Sequence, residues 1–383
     1  MKSWVNISDA VEITNNRIKP FKGERRYLAT GDLIGDAVNE SIVSVDYENK
    51  PSRADLLVEE GNIIVARMQA TNKVLLIDEA TEDLIVSTGF LNLQPKKDFD
   101  GSYLAHYFRS DVFQKKKDKY CSGATQKAIN NGAFAKLQVP SYSLDEQKRI
   151  ANILDQADAL CQKRKQSLQL IDDFLRATFL DMFGDPLAKK NKFKTAPLGS
   201  MVDFIGGGTP SREIAEYWQG KNKWASSKDM KGLILKDTQE RVSDKAIKAS
   251  ATKLVKPGTL LVVVKSKILM RYLPVLITES EVCFNQDIKG MVPNKEINPW
   301  YLLFHMRIGQ DALLQIARGA NTEGLTLDHL RNYKLILAPK DIQEQFFVIA
   351  KKTVTMIEIM QESQTELDNQ FNALTQRYFV CKT

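Results

Sequence analysis

The apolar positions of this chain follow two different periods. From Ser143 to Asp185 they recur every seven residues. Leu154, Cys161, Leu168, Leu175 and Met182 form one row, and Ile150, Ala157, Arg164, Ile171 and Thr178 form the next. Two adjacent heptad rows make a stripe too narrow for a globular core and suited to a single partner helix. Ser143 and Glu146 have capping-box spacing, Gly184 can supply a left-handed stop, and Pro186 cannot continue a helix. The pattern predicts a helix of roughly 60 Å, long enough to act as a spacer. A second such stretch starts at Asp341, with Glu344 at cap spacing. Its rows are Ala350, Ile357, Gln364, Phe371, Tyr378 and Phe346, Thr353, Met360, Leu367, Leu374. The two stripes fit each other, so the helices are expected to pair, the alternative being two unrelated surface helices.

Outside these stretches the period shortens, and short β-branched runs alternate with turns. Those runs occur twice. Gly23 to Leu33 lies 197 positions before Gly220 to Met230, with Tyr27 opposite Trp224 and Asp32 opposite Asp229. Glu59 to Arg67 matches Lys256 to Val264, Tyr103-Leu104 matches Tyr301-Leu302, and Ser122-Gly123-Ala124 matches Arg318-Gly319-Ala320. Glu146-Gln147 pairs with Glu344-Gln345 at 198, while the helical stripes match best at 196, so the register slips somewhere. The expected architecture is α+β and repeated. A first globular unit covers 1–142, a spacer helix 143–185, a second unit 186–340, and a C-terminal helix 341–383 pairs antiparallel with the spacer. Duplication would give one chain the approximate two-fold symmetry of a dimer, and two unlike DNA-reading units would see an asymmetric bipartite site.

Charge sharpens this picture. The chain has 383 residues and a net charge of +7. Residues 186–340 carry 25 Lys and Arg against 14 Asp and Glu, an excess of 11, whereas 1–144 balance and both helices are slightly acidic. A polyanion bound by a globular unit, with the helices left for protein contacts, fits that distribution. Four scattered cysteines suggest neither a disulfide framework nor a zinc site. No apolar run reaches the roughly 20 residues of a membrane span, and the N-terminus does not resemble a signal peptide. A cytoplasmic protein is expected.

Candidate chemistry lies in loops. No Walker phosphate loop is present, Gly206-Gly207-Gly208 runs straight into Thr209-Pro210, and no Asn-Pro-Pro-aromatic run marks an amino-methyltransferase. His106, His305 and His329 sit in helix-like or apolar contexts and read as structural. Lys22, Arg25, Arg26 and Tyr27 cluster after Pro20. At the equivalent place stand Lys221, Lys223 and Trp224, followed by Ser226, Ser227 and Lys228. Arg and Lys can bind phosphates or guanine edges, and Ser can contact either. Tyr27 and Trp224 are expected to pack beneath these loops. Lys115, Lys116, Lys117 and Lys119 form a run suited to phosphates or to a solvated helix end.

The segments Gly207 to Met230, SRADLLVEEGNIIVAR, STGFLNLQP, SGATQKAI and VPSYSLDEQKRIANILDQADAL…FLDMFGDP together resemble the specificity subunits of type I restriction–modification enzymes, over essentially the full length. The first unit lacks the Gly-Gly-Thr-Pro-Ser segment of the second. The resemblance implies two target recognition domains separated by a coiled coil, with no catalytic activity in the subunit itself. It adds Arg53, Arg67, Thr209, Ser211 and Arg212 to the candidate DNA contacts. Two modification subunits would dock on the helices, with Leu154, Leu168, Leu175, Phe371 and Leu374 as candidate partner contacts. The chain itself would carry no metal or cofactor. S-adenosylmethionine and ATP would belong to the modification and motor-nuclease subunits. A coiled-coil scaffold with non-specific nucleic-acid binding is the alternative.

Overall fold

The computed structural model describes residues 3–319 and 324–380. The chain divides into two compact units, Met1–Lys165 with Glu362–Thr383, and Gln166–Gln361.

In the first unit, strands Val11–Thr14, Phe90–Pro95, Ile63–Ala66 and Val74–Leu76 lie side by side in an antiparallel sheet. Ile63–Ala66 is buried throughout, as its unbroken apolar run requires. Side chains alternate across a strand, so its two faces feed two cores. Ile63 and Val65 join a cluster with the helices, and Ile64 and Ala66 join one with Leu28, Leu33 and Phe90. A second sheet orders Ser44–Val45, Arg25–Leu28, Ile85–Ser87 and Ala54–Leu57, with Arg25–Leu28 and Ile85–Ser87 parallel. The helix Gly101–Arg109 starts where the Asp100 side chain accepts the Tyr103 N–H, and it buries Tyr103, Leu104, Tyr107 and Phe108.

The second unit repeats this plan. Leu260 and Val262 face one core, Leu261 and Val263 the other. Asn298 caps the helix Pro299–Ile308, as Asp100 caps its counterpart. The sheet here gains a fifth strand, Ile234–Leu235.

Two helices of 40 residues each, Leu144–Phe183 and Lys340–Phe379, complete both units. Gly184, at φ +85°, ends the first helix as its sequence predicts. In the first unit Ile150, Ala151 and Leu154 share a core with Tyr378 and Phe379. In the second, Leu175, Phe179 and Phe183 share one with Phe346, Ala350 and Val354. The start of each helix thus lies beside the end of the other, and the pair is antiparallel. Aromatic rings seal both ends, with Tyr107 5.3 Å from Phe379 and Phe183 4.6 Å from Tyr301 between centroids.

Three expectations are corrected. Glu146 does not reach back to a cap; Arg149 takes both its oxygens at 2.8 and 2.7 Å. Glu344 accepts instead from the Asn298 side chain at 3.0 Å, and its helix begins one residue early, at Lys340. Leu154 and Leu175 are fully buried inside their own units. Phe371 and Leu374 pack on the first unit's core, and Leu168 is half-buried. The apolar stripe is therefore spent within the chain.

Candidate nucleic-acid interface

The predicted basic loop of the first unit runs into the strand Arg25–Leu28. Lys22 is exposed on a bend before it. Arg25 lies over the Phe21 ring at 5.0 Å. Arg26 forks onto Asp83, with Nε donating to Oδ2 at 2.9 Å, and also donates to the Ala80 carbonyl at 2.6 Å. That bond raises the Arg26 pKa and holds the Asp83 carboxyl below its usual range. Tyr27 is buried beneath the strand. Arg53 is exposed in a turn.

Arg67 departs from expectation. Its Nε donates to the Phe90 carbonyl at 3.0 Å and its Nη1 to Asn131 Oδ1 at 2.7 Å, and burial lowers its pKa. This guanidinium braces the chain from inside. The lysine run also splits by helical face. Lys115 and Lys119 are exposed, Lys116 lies 4.2 Å over the Trp4 ring, and Lys117 is fully buried. The Lys117 ammonium donates to the carbonyls of Thr71, Met68 and Ala66 at 2.7, 3.2 and 3.4 Å. It is withdrawn from any phosphate.

In the second unit the glycine segment is dictated by close approach. A Cβ on Gly207 would stand 2.0 Å from the Asn285 carbonyl oxygen, and one on Gly208 2.6 Å from backbone atoms of Ala251 and Thr252. The turn presents Thr209, whose hydroxyl donates to Gln286 at 2.6 Å, then Ser211 and Arg212, all exposed. Arg212 sits 3.4 Å over the Trp218 ring and forks onto Glu240, Nη2 to Oε2 at 2.9 Å. The pair raises the Arg212 pKa and lowers that of Glu240. Trp224 is buried below, donating to the Gly208 carbonyl at 3.0 Å. Lys221 and Lys228 are exposed. Lys223 is half-buried and donates to Ser280 Oγ at 2.8 Å and to the Lys236 carbonyl. Ser226 donates its N–H and hydroxyl to Asp229, both at 2.9 Å, and Ser227 is half-buried beside it. Asp32 accepts the Ala29 N–H in the same way at 3.2 Å, so the two basic loops share one turn.

A further cationic surface carries no repeat signal. Between strands Leu260–Val263 and Val275–Thr278, Lys265, Lys267 and Arg271 are exposed, with Met270 and Tyr272. Basic and aromatic residues following a buried strand, Lys-Ser-Lys…Arg-Tyr, were the available clue.

No serine–histidine dyad emerges around His106. The Ser102 hydroxyl and His106 Nε2 both meet Asp155, at 3.1 and 2.7 Å, so the histidine is not placed as that serine's base. His305 is held by Tyr333 and by the Ile336 N–H, each at 3.1 Å, and His329 caps Thr326. Among the described residues no cluster of metal-binding side chains is present, and no helix is long and apolar enough to cross a membrane.

A duplicated α+β unit with matched basic turns, carried on an antiparallel helix pair, is the arrangement of a repeated DNA specificity domain. The profile of the type I restriction modification DNA specificity domain matches residues 2–171 and again 190–369, and the chain belongs to that family. The type I restriction enzyme EcoR124I/EcoR124II specificity subunit of Escherichia coli is 28% identical over 211 residues, 54% of this chain and 50% of that subunit. A putative MjaX specificity subunit of Methanocaldococcus jannaschii is 20% identical over 307 residues, 77% of this chain and 71% of that protein. Among solved structures, the type I restriction-modification S subunit from M. genitalium aligns with TM-score 0.62 at 13% identity, covering 100% of this chain and 97% of that one. A chain of another type I R-M system aligns at 0.53 and 18%, covering 98% and 97%. These structural likenesses are of fold.

Proposed function

We propose that the chain is the sequence-specific DNA-recognition subunit of a type I restriction–modification complex. The observation that carries this is the repetition of the specificity domain with a solvent-facing cationic turn in each copy, Lys22 to Arg26 and Lys221 to Lys228. Each unit reads one half of a bipartite duplex site, and because the two units differ in sequence, the halves differ. The long helices set the gap between them. The subunit is non-catalytic. Its partners are two modification subunits, which hold S-adenosylmethionine and methylate adenine, and motor-nuclease subunits that use ATP. The cytoplasm is its compartment.

With Leu154 and Leu175 buried, the modification subunits meet the outer helix faces, where Leu160, Leu170, Phe174, Met356 and Ile359 are exposed. Leu170 is 67% and Ile359 61% accessible. The test is single-molecule sequencing of genomic DNA from cells expressing the chain with its modification subunit. Methylated adenines in one asymmetric, gapped motif that disappears without this chain are expected. An assembled complex that marks no motif would leave a scaffold.

A further inference from the structure

We propose that the strand-connecting turn at residues 67–73, and its counterpart at 264–274, are the elements by which each unit reads bases, with Gln69 the reader in the first unit and Arg271 in the second. This rests on the DNA-recognition reading above.

The first turn is held at a cost that ordinary surface loops do not carry. Lys117 places a wholly buried ammonium beneath it, donating to two of its carbonyls, Met68 and Thr71, and to one of the preceding strand, Ala66. Burying a charge is among the costliest things a fold does. Ala70 holds φ +54°, a region rare for residues with a side chain, and its N–H is fixed by Asp118 Oδ2 at 3.1 Å. A neighbouring loop stitches the turn from the other side. Gln69 N–H donates to the Lys127 carbonyl at 3.0 Å, and Ile129 N–H to the Arg67 carbonyl at 2.9 Å. None of this is needed merely to join two strands, because lengthening or loosening a surface loop costs little. It is what a turn needs if its side chains must be held in one position.

The side chains so held are Gln69, Thr71 and Asn72, and the facing loop adds Ser122, Thr125 and Gln126. No charge occurs in residues 69–72 or 122–126, with the exposed Lys127 beside them, so the tip itself offers neutral donors and acceptors. A carboxamide offers the donor and acceptor fork that matches the major-groove edge of adenine.

The second unit supplies an internal comparison. The stitch recurs there, with Leu325 N–H donating to the Val264 carbonyl at 2.7 Å. On that shared frame the turn is four residues longer and chemically different. It forms its own 3₁₀ turn, Lys267–Met270, started by Ser266, and anchors itself by burying Leu269 with Leu313 and Leu314. It exposes Lys265, Lys267 and Arg271 with Tyr272. One unit thus uses a buried lysine under a neutral tip, and the other a buried leucine under a cationic tip. A duplicated protein that reads two unlike half-sites should diverge at the reading element and keep the frame. Arginine matches the paired acceptors of guanine, so the structure assigns an adenine-type contact to the first half-site and a guanine-type contact to the second.

The test uses the full chain assembled with its modification subunits. Binding is measured to the wild-type motif and to duplexes with each base pair replaced in turn. For Gln69→Ala, discrimination at one position of one half-site should fall about tenfold or more, with the other half-site unaffected. Arg271→Ala should do the same in the opposite half-site, and Lys117→Met should blur the position that Gln69→Ala affects. Unchanged discrimination, or an equal loss of affinity on every sequence, would overturn the assignment while leaving the DNA-recognition reading intact. A wild-type complex that prefers no sequence would overturn both.

Discussion

Gln147 and Gln343, 196 residues apart, make the same three hydrogen bonds. Each donates its amide to the carbonyl of the residue five positions before it, Tyr142 at 2.9 Å and Ala338 at 2.8 Å. Each also donates to the segment leading into its unit's capped helix, at Asp98 and Glu296, and accepts an N–H there from Asp100 and Asn298. Both are buried. The glutamine fixes where the long helix leaves the globular unit, and it does so twice. This settles the register at the helix starts as 196, so Gln147 corresponds to Gln343 and not to Gln345.

Replacing either glutamine with leucine takes the side-chain partner from three backbone groups, some of them half-buried, which should cost about 2 kcal/mol. Urea unfolding of Gln147→Leu and Gln343→Leu checks this. A loss below about 1 kcal/mol would mean that water or rearrangement satisfies those groups.

The arginines poised at the turns are neutralised in the free protein. If Arg26 and Arg212 face DNA, Asp83 and Glu240 compete with phosphate for them. Asp83→Asn and Glu240→Gln should then tighten DNA binding by roughly threefold to tenfold, about 1 kcal/mol each, and Arg212→Ala should weaken it. Both pairs are solvent-exposed, so stability should move by less than about 1 kcal/mol. Tighter binding without a change in melting temperature is the expected pattern in titration and calorimetry.

The lysines of the second turn should not act alike. Lys221 and Lys228 are exposed, and each converted to alanine should reduce the slope of log affinity against log salt by about 0.9. Lys223 is bonded within the fold to Ser280 and Lys236, so Lys223→Ala should change the slope less. Equal slopes for all three variants would contradict this ordering.

Acid should loosen both units before the carboxylates titrate. Burial pushes the His305 imidazole down from 6.5 to about 3, and burial also lowers His106 despite Asp155. The unfolded chain therefore binds protons near pH 6.5 that the fold refuses. Stability is complete above that pH and falls below it, by up to about 1.4 kcal/mol per pH unit for each histidine. Denaturation at pH 7.5, 6 and 5 should show the decline, and His305→Gln should flatten it.

Shortening the helix pair should respace the half-sites. Cys161 and Asp368 lie together across the pair, so matched seven-residue deletions around them preserve the stripe. They would shorten each helix by about 10 Å, or about three base pairs of gap. Sequencing of the methylated motif should return the same two half-sites with a smaller gap. Changed half-site bases would refute the spacer role.

The stripe, the repeat and the Gly184 stop were legible because each rests on periodicity or on a backbone conformation that few residues adopt. The direction of single side chains was not. Lys117 reads like its neighbours Lys115 and Lys116, and only the packing of its helix shows it pointing inward. Arg67 ends an apolar strand and looks exposed, yet Phe90 and Asn131 take up its guanidinium. Leu154 and Leu175 were correctly apolar, but periodicity does not say whether the covering partner is another subunit or the same chain. The turn at 264–274 escaped notice because it is where the two repeats diverge, and matching repeats directs attention to what they share.

The first unit is assembled from two stretches far apart in sequence, Met1–Lys165 and Glu362–Thr383. Tyr378 and Phe379 complete the core around Tyr103 and Tyr107, whereas the second unit is one continuous stretch, Gln166–Gln361. On the ribosome the order of synthesis is therefore not the order of completion. The first unit must wait with an open aromatic socket until Tyr378 and Phe379 are made, and the unit between can close first. A chain cut before Tyr378 would carry the loss around Tyr103 and Tyr107, in its first unit.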